Sequence, residues 1–254
     1  MQPRAAVLIF ALATATGFSQ VPAAPGAAPQ PAPQPEPLNR TTIVLDAAHG
    51  GTDRGSRIDD STVEKDVTLA LTFRLRSLLA ARGFNVVMTR ENDATLALDD
   101  RAGLANHARP AACLLLHATG AGQGVHLYSS ELDPAPAEPA VVPWLTAQAA
   151  WVQQSALLKS SLGAALKRAR VPLVISRASV RPVDSLTCPA VVVELAPEED
   201  DSSISDGGYQ QRVAEAIAGA LVFWSKQVQP PLRLPAERAA GSSAKDASNA
   251  GVQP

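Results

Sequence analysis

The pattern of apolar and polar positions divides the chain into short apolar runs and longer amphipathic stretches. Residues 41–45 (TTIVL) and 111–117 (AACLLLH) are apolar without alternation, which is typical of strands buried on both faces of a parallel sheet. Between them lies a stretch whose large apolar residues recur at helical spacing: Val63, Val67, Leu71, Leu75 and Leu78. The predicted strands are residues 41–45, 84–89, 111–117, 124–128, 173–175 and 189–195, and the predicted helices are residues 63–82, 98–108, 144–170 and 209–226. Strands that alternate with helices predict one α/β domain, with a largely parallel, twisted sheet flanked by helices.

The two ends of the chain differ in composition from this α/β region. Residues 1–22 combine a basic start, a short apolar run and small residues, which is the pattern of a secretory signal peptide. Residues 23–39 are rich in Pro and Ala and are predicted to form an extended linker, and the polar residues 230–254 are predicted to be a disordered tail. The globular domain is therefore predicted at residues 40–229. We expect an exported protein of the periplasm, cell envelope or exterior, with no stable membrane span after signal cleavage.

The charge balance excludes two classes of function. Lys and Arg number 22 against 24 Asp and Glu, so the formal net charge is −2. This balance argues against binding to nucleic acid through a basic face and against a polybasic membrane-surface protein. We expect the protein to act as a monomer. Cys113 and Cys188 leave two alternatives open, a disulfide of an exported protein or two buried thiols.

Metal-binding residue types lie at the ends of three predicted strands, at His49, His117 and Glu194. Glu64 lies at the start of the first predicted helix. Because ligands bind beyond the carboxyl ends of the strands in such sheets, we expect these four side chains to meet at one edge. Two histidines and a carboxylate suit Zn²⁺, whose catalytic sites combine three protein ligands with water. Bound zinc lowers the pKa of that water to about 7, and a further carboxylate then acts as general base.

An ordered set of motifs makes the sequence recognisable. It resembles the zinc-dependent N-acetylmuramoyl-L-alanine amidases of the amidase-3 type, and the resemblance spans nearly all of residues 40–226. The motifs are IVLDAAHGGTDRG at residues 43–55, EKDV at 64–67, VMTR at 87–90, DR at 100–101, AN at 105–106, LLHA at 115–118, PAVVVEL at 189–195 and YQQ at 209–211. The resemblance implies that His49, Glu64 and His117 are the zinc ligands and that Glu194 is the catalytic glutamate.

The resemblance also implies the substrate and the partners. The substrate is peptidoglycan, cleaved at the amide between the lactyl group of N-acetylmuramic acid and the L-alanine of the stem peptide. Some periplasmic relatives block the zinc site with an inserted helix and need a protein activator. The segment 129–143 is the candidate blocking loop here, with Glu131 or Glu138 as its blocking residue, but its proline content disfavours such a helix and therefore a block. Two alternatives stay open: a non-catalytic peptidoglycan-binding relative, and a zinc peptidase that acts on another wall peptide bond.

Several other residues are assigned structural roles. Asp46 is a candidate to orient His49 through a hydrogen bond. We expect His107 to be a surface residue and His126 to face a neighbouring strand, and Arg101 and Asn106 to anchor the second helix. The sequence departs from the family pattern at Ala47-Ala48, where Pro-Gly is common, at Thr119, where Asn is frequent, and at Ala196-Pro197, where Gly-Phe is common. None of these departures removes a predicted ligand.

Overall fold

The computed structural model describes residues 38–135, 142–199 and 202–227. Within these ranges, six strands form one sheet and four α-helices flank it. The strands are β1 (Asn39–Ala47), β2 (Asn85–Met88), β3 (Pro110–Ala118), β4 (Val125–Ser129), β5 (Leu173–Arg177) and β6 (Ala190–Leu195). The helices are α1 (Glu64–Ala80), α2 (Leu98–Ala108), α3 (Val152–Arg168) and α4 (Gly207–Gln227). The predicted signal peptide, the predicted tail and the linker up to residue 37 lie outside the described residues.

The sheet has the strand order β2-β1-β3-β6-β4-β5. β2, β1, β3 and β6 are parallel, whereas β4 runs antiparallel to β6 and β5 runs parallel to β4. The predicted α/β class and the largely parallel sheet are therefore confirmed. The last residues of β1, β3 and β6 and the first residues of β4 share one rim of the sheet, which we call the carboxyl edge.

Helices cover both faces of the sheet. On one face, alternate strand residues such as Leu114 and Leu116 pack in a core with α1, α3 and α4. On the other face, Cys113 and Leu115 pack in a smaller core with α2 and with the segment before β6. Because side chains alternate along a strand, His117 continues the second set and lies on the α2 side of β3.

The predicted helix over residues 144–170 is wrong in its first eight residues. The chain forms a 3-10 helix at Trp144–Ala150, breaks at Trp151, and only then enters α3. The break allows the Gln148 amide to turn inward, where it donates to the carbonyls of Leu186 (2.9 Å) and Cys188 (3.0 Å) and accepts from Ser155. Apolar periodicity cannot register this buried polar contact, so the two segments read as one amphipathic helix.

Cys113 and Cys188 form a disulfide, which settles the alternative left open by the sequence. The bond joins β3 to the residue pair that precedes β6, with a Cα–Cα distance of 6.5 Å. Both cysteines are essentially without solvent exposure. The bond therefore lies inside the α2-side core, beneath the strands that carry His117 and Glu194.

We expect the double substitution Cys113→Ala/Cys188→Ala to lower the free energy of unfolding by about 2–4 kcal/mol. The physical reason is the sequence separation of 75 residues, because a cross-link over a long loop restricts the unfolded chain strongly. Urea unfolding with and without a thiol reductant measures the effect. The reductant should destabilise the native chain and leave the double variant unchanged, and two alkylatable thiols in the unreduced, unfolded chain would contradict the bond.

Candidate functional site

Three side chains from separate elements converge at the carboxyl edge. His49 lies two residues beyond β1, Glu64 begins α1 and His117 is the penultimate residue of β3. One nitrogen of each histidine and a Glu64 oxygen all lie within 4.8 Å of one another. Glu64 Oε1 is 2.8 Å from His117 Nδ1, and Glu64 Oε2 is 3.2 Å from His49 Nε2. Among the described residues, this is the one group of His, Cys, Asp and Glu side chains with a geometry that could hold a metal ion.

Hydrogen bonds fix the Glu64 carboxylate and favour its ionised form. The backbone N–H groups of Ser56 (2.9 Å) and Ala118 (3.2 Å) each donate to one of its oxygens, which ties α1 to the loop before it and to the end of β3. Burial alone would raise the pKa of Glu64, but the hydrogen bonds from His117, His49 and Ser56 outweigh burial and hold the pKa well below its usual value. An ionised carboxylate between two imidazoles is a donor set suited to a cation.

His49 is oriented by Asp53 and not by Asp46. His49 Nδ1 lies 2.8 Å from Asp53 Oδ2, which leaves Nε2 for the metal-binding position. The hydrogen bond to Glu64, helped by the one to Asp53, raises the pKa of His49 despite burial. Asp46 instead accepts from the Thr89 hydroxyl and from Arg101 (2.7 Å), so the predicted orienting role of Asp46 is wrong. Asp46 belongs to strand β1 and lies below the loop, whereas Asp53 is part of the loop itself.

Two buried arginines hold the loop that carries His49. Arg101 donates to the carbonyls of Ala47 (2.7 Å) and His49 (2.6 Å), and Arg90 donates to those of Ala47 (2.9 Å) and Ala48 (3.1 Å). These four hydrogen bonds stabilise an unusual backbone conformation at His49, whose φ of +62° lies in the left-handed region. The predicted anchoring role of Arg101 is thus correct, but the segment it anchors is the His49 loop as well as α2.

Gly55 shows how closely the loop packs against the ligand pair. Its φ is +65°, and a Cβ at this position would lie 2.6 Å from the His49 ring and 2.7 Å from a Glu64 oxygen. Any other residue would displace one of the two side chains. The glycine is therefore required by both the backbone conformation and the close approach.

Glu194 lies beside this group but outside it. It is the penultimate residue of β6 and is the register partner of His117 on β3. Neighbouring strands are about 4.8 Å apart, so the two side chains emerge next to each other on the α2 side of the sheet. Glu194 Oε2 accepts from His126 Nδ1 (2.8 Å) and from the Tyr128 hydroxyl (3.1 Å), both on β4. The four predicted site residues therefore meet at one edge, and the carboxylate of Glu194 is hydrogen-bonded to two side chains of β4.

The contacts of Glu194 were missed because β4 was not assigned a direction. The carboxyl-end rule finds site residues only where strands end, whereas an antiparallel strand contributes its first residues to the same edge. A signal was available, because only residues 119–124 separate β3 from β4, and a parallel crossover needs a dozen residues or more. The short connection requires β4 to start at the carboxyl edge, which places His126 there.

The described part of the candidate blocking loop does not reach this group. Glu131 is exposed, and it is not among the residues that meet at the metal-binding geometry. Glu138 lies outside the described residues.

Asn106 anchors the segment before β6 by accepting from the Thr187 backbone N–H (2.7 Å) and donating to the Ser185 carbonyl (2.9 Å). His107 is exposed on α2, as predicted.

We expect Asp53→Asn to weaken the binding of a metal ion such as zinc at this site about tenfold to a hundredfold, because carboxylate partners fix the orientation and raise the basicity of histidine ligands. Competition with a zinc-binding dye measures the dissociation constant. Asp60→Asn is the matched control, since Asp60 lies in the same loop region, is fully exposed and pairs with Arg57. Equal zinc affinity in the Asp53 variant and the control would contradict the orienting role.

Together, the fold and the site define an α/β protein with a candidate mononuclear metal centre at the carboxyl edge of its sheet. In the described ranges, none of the helices is long and apolar enough to cross a membrane.

The family model for N-acetylmuramoyl-L-alanine amidases matches residues 43–222. The chain therefore belongs to this amidase family, as the motif resemblance predicted.

Individual relatives agree with this assignment. The chain is 32% identical over 191 residues to a probable cell wall amidase LytH of Staphylococcus epidermidis, and the match covers 73% of this chain and 58% of that relative. It thus spans less than two thirds of the length of that curated relative. A 67-residue stretch, 26% of this chain and 28% of the relative, is 45% identical to the germination-specific N-acetylmuramoyl-L-alanine amidase of Bacillus subtilis.

Solved structures share the fold. The catalytic domain of CwlV, an amidase from Bacillus (Paenibacillus) polymyxa, superposes with a TM-score of 0.59 at 22% identity, covering 73% of this chain and 98% of that one. The CwlD amidase of Clostridioides difficile, solved in complex with the GerS lipoprotein, gives a TM-score of 0.60 at 23% identity, covering 74% and 100%.

Proposed function

We propose that this protein is a zinc-dependent amidase that hydrolyses the bond between the lactyl group of N-acetylmuramic acid and the L-alanine of peptidoglycan stem peptides. The observation that carries the proposal is the convergence of His49, Glu64 and His117 within 4.8 Å, with Glu194 adjacent in register. Membership of the amidase family supplies the reaction class. The convergence of all four side chains argues against a relative that only binds peptidoglycan.

The donor set fits zinc. Two imidazole nitrogens and one carboxylate match the ligands of catalytic zinc sites and leave a position for water. The lowered pKa of Glu64 keeps this carboxylate ionised, and Asp53 occupies the second nitrogen of His49. Zinc bound at this position would supply Lewis acidity that polarises a carbonyl oxygen and acidifies a water molecule.

Glu194 is proposed as the general base and then the general acid. Its carboxylate takes a proton from the attacking water, and it later gives this proton to the departing alanine nitrogen. The water oxygen bonds to the carbonyl carbon of the lactyl group, and the carbon–nitrogen bond then breaks as the nitrogen accepts the proton, so one water molecule is consumed for each amide cleaved. Glu194 suits this task because it lies next to His117 on the neighbouring strand and is not part of the metal-binding group.

The proposed setting of this reaction is the cell envelope. Residues 1–22 are proposed as a signal peptide, residues 23–39 as a linker and residues 230–254 as a tail, and the buried disulfide suits an oxidising compartment. We propose that the protein acts as a monomer and that its role is remodelling of the cell wall. The neighbour CwlD was solved with the GerS lipoprotein, so an activating protein is a partner to test by adding envelope lipoproteins to the assay.

Digestion of purified peptidoglycan by the full chain tests the proposal. Mass spectrometry should find stem peptides with a free alanine amino terminus and glycan with unsubstituted lactyl groups. A chelator should abolish this release and added zinc should restore it. Zinc-dependent release at another bond would favour a wall peptidase, and no release by zinc-loaded protein would favour a binding protein or an activator-dependent enzyme.

A further inference from the structure

We propose that His126 is a positioning residue for Glu194, and that His126 and Tyr128 together hold the carboxylate by Oε2 so that Oε1 exchanges the proton. The inference rests on the proposed role of Glu194 as general base. It assigns a function to two residues of β4, a strand that contributes nothing to the metal-binding group.

Both contacts fall on the same oxygen. His126 Nδ1 lies 2.8 Å from Glu194 Oε2 and the Tyr128 hydroxyl oxygen lies 3.1 Å from it. A carboxylate only accepts hydrogen bonds, so the proton must be on His126 Nδ1 and the tyrosine must donate. Burial, together with the charge of Glu194, raises the pKa of Tyr128, so its hydroxyl remains protonated. Within the described ranges, Glu194 Oε1 has no hydrogen-bond partner.

The His126 ring is itself held in place. His126 and Glu194 are directly opposite each other in the antiparallel pairing of β4 with β6. Gly122, with a φ of +80°, passes so close to the ring that a Cβ there would lie 2.8 Å from Cε1 and 3.0 Å from Nε2. Tyr128 meets the ring edge-on, with a centroid distance of 6.5 Å. The His126 side chain is 12% exposed, so little freedom is left to it.

This arrangement suits positioning better than metal binding. His126 Nδ1 is engaged by Glu194, and His126 is not part of the group that could hold a metal. Two donors on one carboxylate oxygen restrict rotation of the carboxyl group, so Oε1 is presented in one orientation. Positioning of a general base matters because a misplacement of about 1 Å can cost about a hundredfold in rate.

Kinetics of the zinc-loaded full chain test the inference. His126→Phe should lower kcat about tenfold to a hundredfold and leave KM and zinc content unchanged. His126→Asn should recover most of this loss, because its amide can place an N–H near the position of Nδ1–H. His107→Phe, on the exposed face of α2, is the matched control and should leave kcat unchanged. An Asn variant no better than the Phe variant would overturn the inference.

A double-mutant cycle separates positioning from a general structural role. In a Glu194→Gln background, His126→Phe should cost nothing further, because the base it positions is already absent. A purely structural role predicts that His126→Phe lowers kcat by the same factor in both backgrounds, and that result would overturn the proposal. Thermal unfolding of each variant shows whether the fold is retained.

An NMR measurement keeps this inference separate from the proposed function. The chain has four histidines, so long-range ¹H–¹⁵N spectra of zinc-loaded, ¹⁵N-histidine-labelled full chain resolve each ring, and His126→Asn assigns the signal. His126 should be protonated at Nδ1, and Glu194→Ala should shift its proton toward Nε2. An Nε2–H tautomer in the native chain would overturn the inference, whereas an inactive chain with the Nδ1–H tautomer would contradict the proposed function alone.

Discussion

Glu194→Gln is expected to lower the turnover of peptidoglycan by about a hundredfold to ten-thousandfold, the range for loss of a general base. Glutamine preserves the size of the side chain and can still accept from His126 and Tyr128, but it cannot take a proton from water. Zinc content should stay at the native level, because Glu194 lies outside the group formed by His49, Glu64 and His117. Turnover is measured by the release of stem peptides under saturating substrate.

The control for this substitution is Glu198→Gln. Glu198 lies four residues along the chain and pairs with Arg212 on α4, away from the carboxylate under test. This variant should keep native turnover. Near-native turnover in Glu194→Gln would contradict the assignment of Glu194 as the general base. A loss of zinc in that variant would show that Glu194 is a ligand.

His117→Ala is expected to abolish both stoichiometric zinc binding and activity. The substitution removes one of three donors and also one of the two hydrogen bonds to Glu64 Oε1, and only the bond from the Ala118 backbone N–H remains. The fall in zinc affinity should exceed the factor of about 10–100 expected for Asp53→Asn, because a ligand is lost and not only its orienting partner. Elemental analysis after dialysis and dye competition measure the two quantities.

His107→Ala is the matched control for the ligand substitution. His107 is the exposed histidine of α2, so its removal changes the histidine count without touching the carboxyl edge. Zinc content and turnover should both remain native. Full zinc occupancy in His117→Ala would contradict the assigned ligand set, and the fold of both variants is checked by their unfolding midpoints.

The four central residues could be found from the sequence because each is tied to a regular element. Uninterrupted apolar runs define β3 and β6, and His117 and Glu194 directly precede the last residue of these strands. Parallel strands bring their carboxyl ends to one edge, so residues far apart in sequence meet there. The motif resemblance then assigned roles that spacing alone left open.

The partners of these residues could not be found in the same way. Asp53 and Asp46 are both carboxylates near His49, and only the path of the loop, with its left-handed His49, decides that Asp53 reaches the ring. His126 depends on the direction of β4, which apolar alternation does not encode. The contacts of Gln148 likewise arise from tertiary packing, so the break before α3 leaves no periodic signal.

The disulfide could not be predicted from the sequence either, because the pairing depends on the distance between two cysteines in the folded chain. Cys113 is on β3 and Cys188 precedes β6, and these strands are neighbours in the sheet although 75 residues separate the two cysteines. Their pairing follows once β6 is placed beside β3. Strand order is a global property, so the sequence alone left the bond and the free thiols as equal alternatives.

His49, Glu64 and His117 together are proposed to hold the zinc ion on which the activity depends. Anomalous diffraction on both sides of the zinc absorption edge, from crystals of the full chain supplied with zinc, tests this claim most directly. We predict one strong zinc-specific peak about 2.0–2.2 Å from a nitrogen of each histidine and an oxygen of Glu64. A zinc-loaded crystal with no peak among these three side chains, or with its zinc bound elsewhere, would contradict the account.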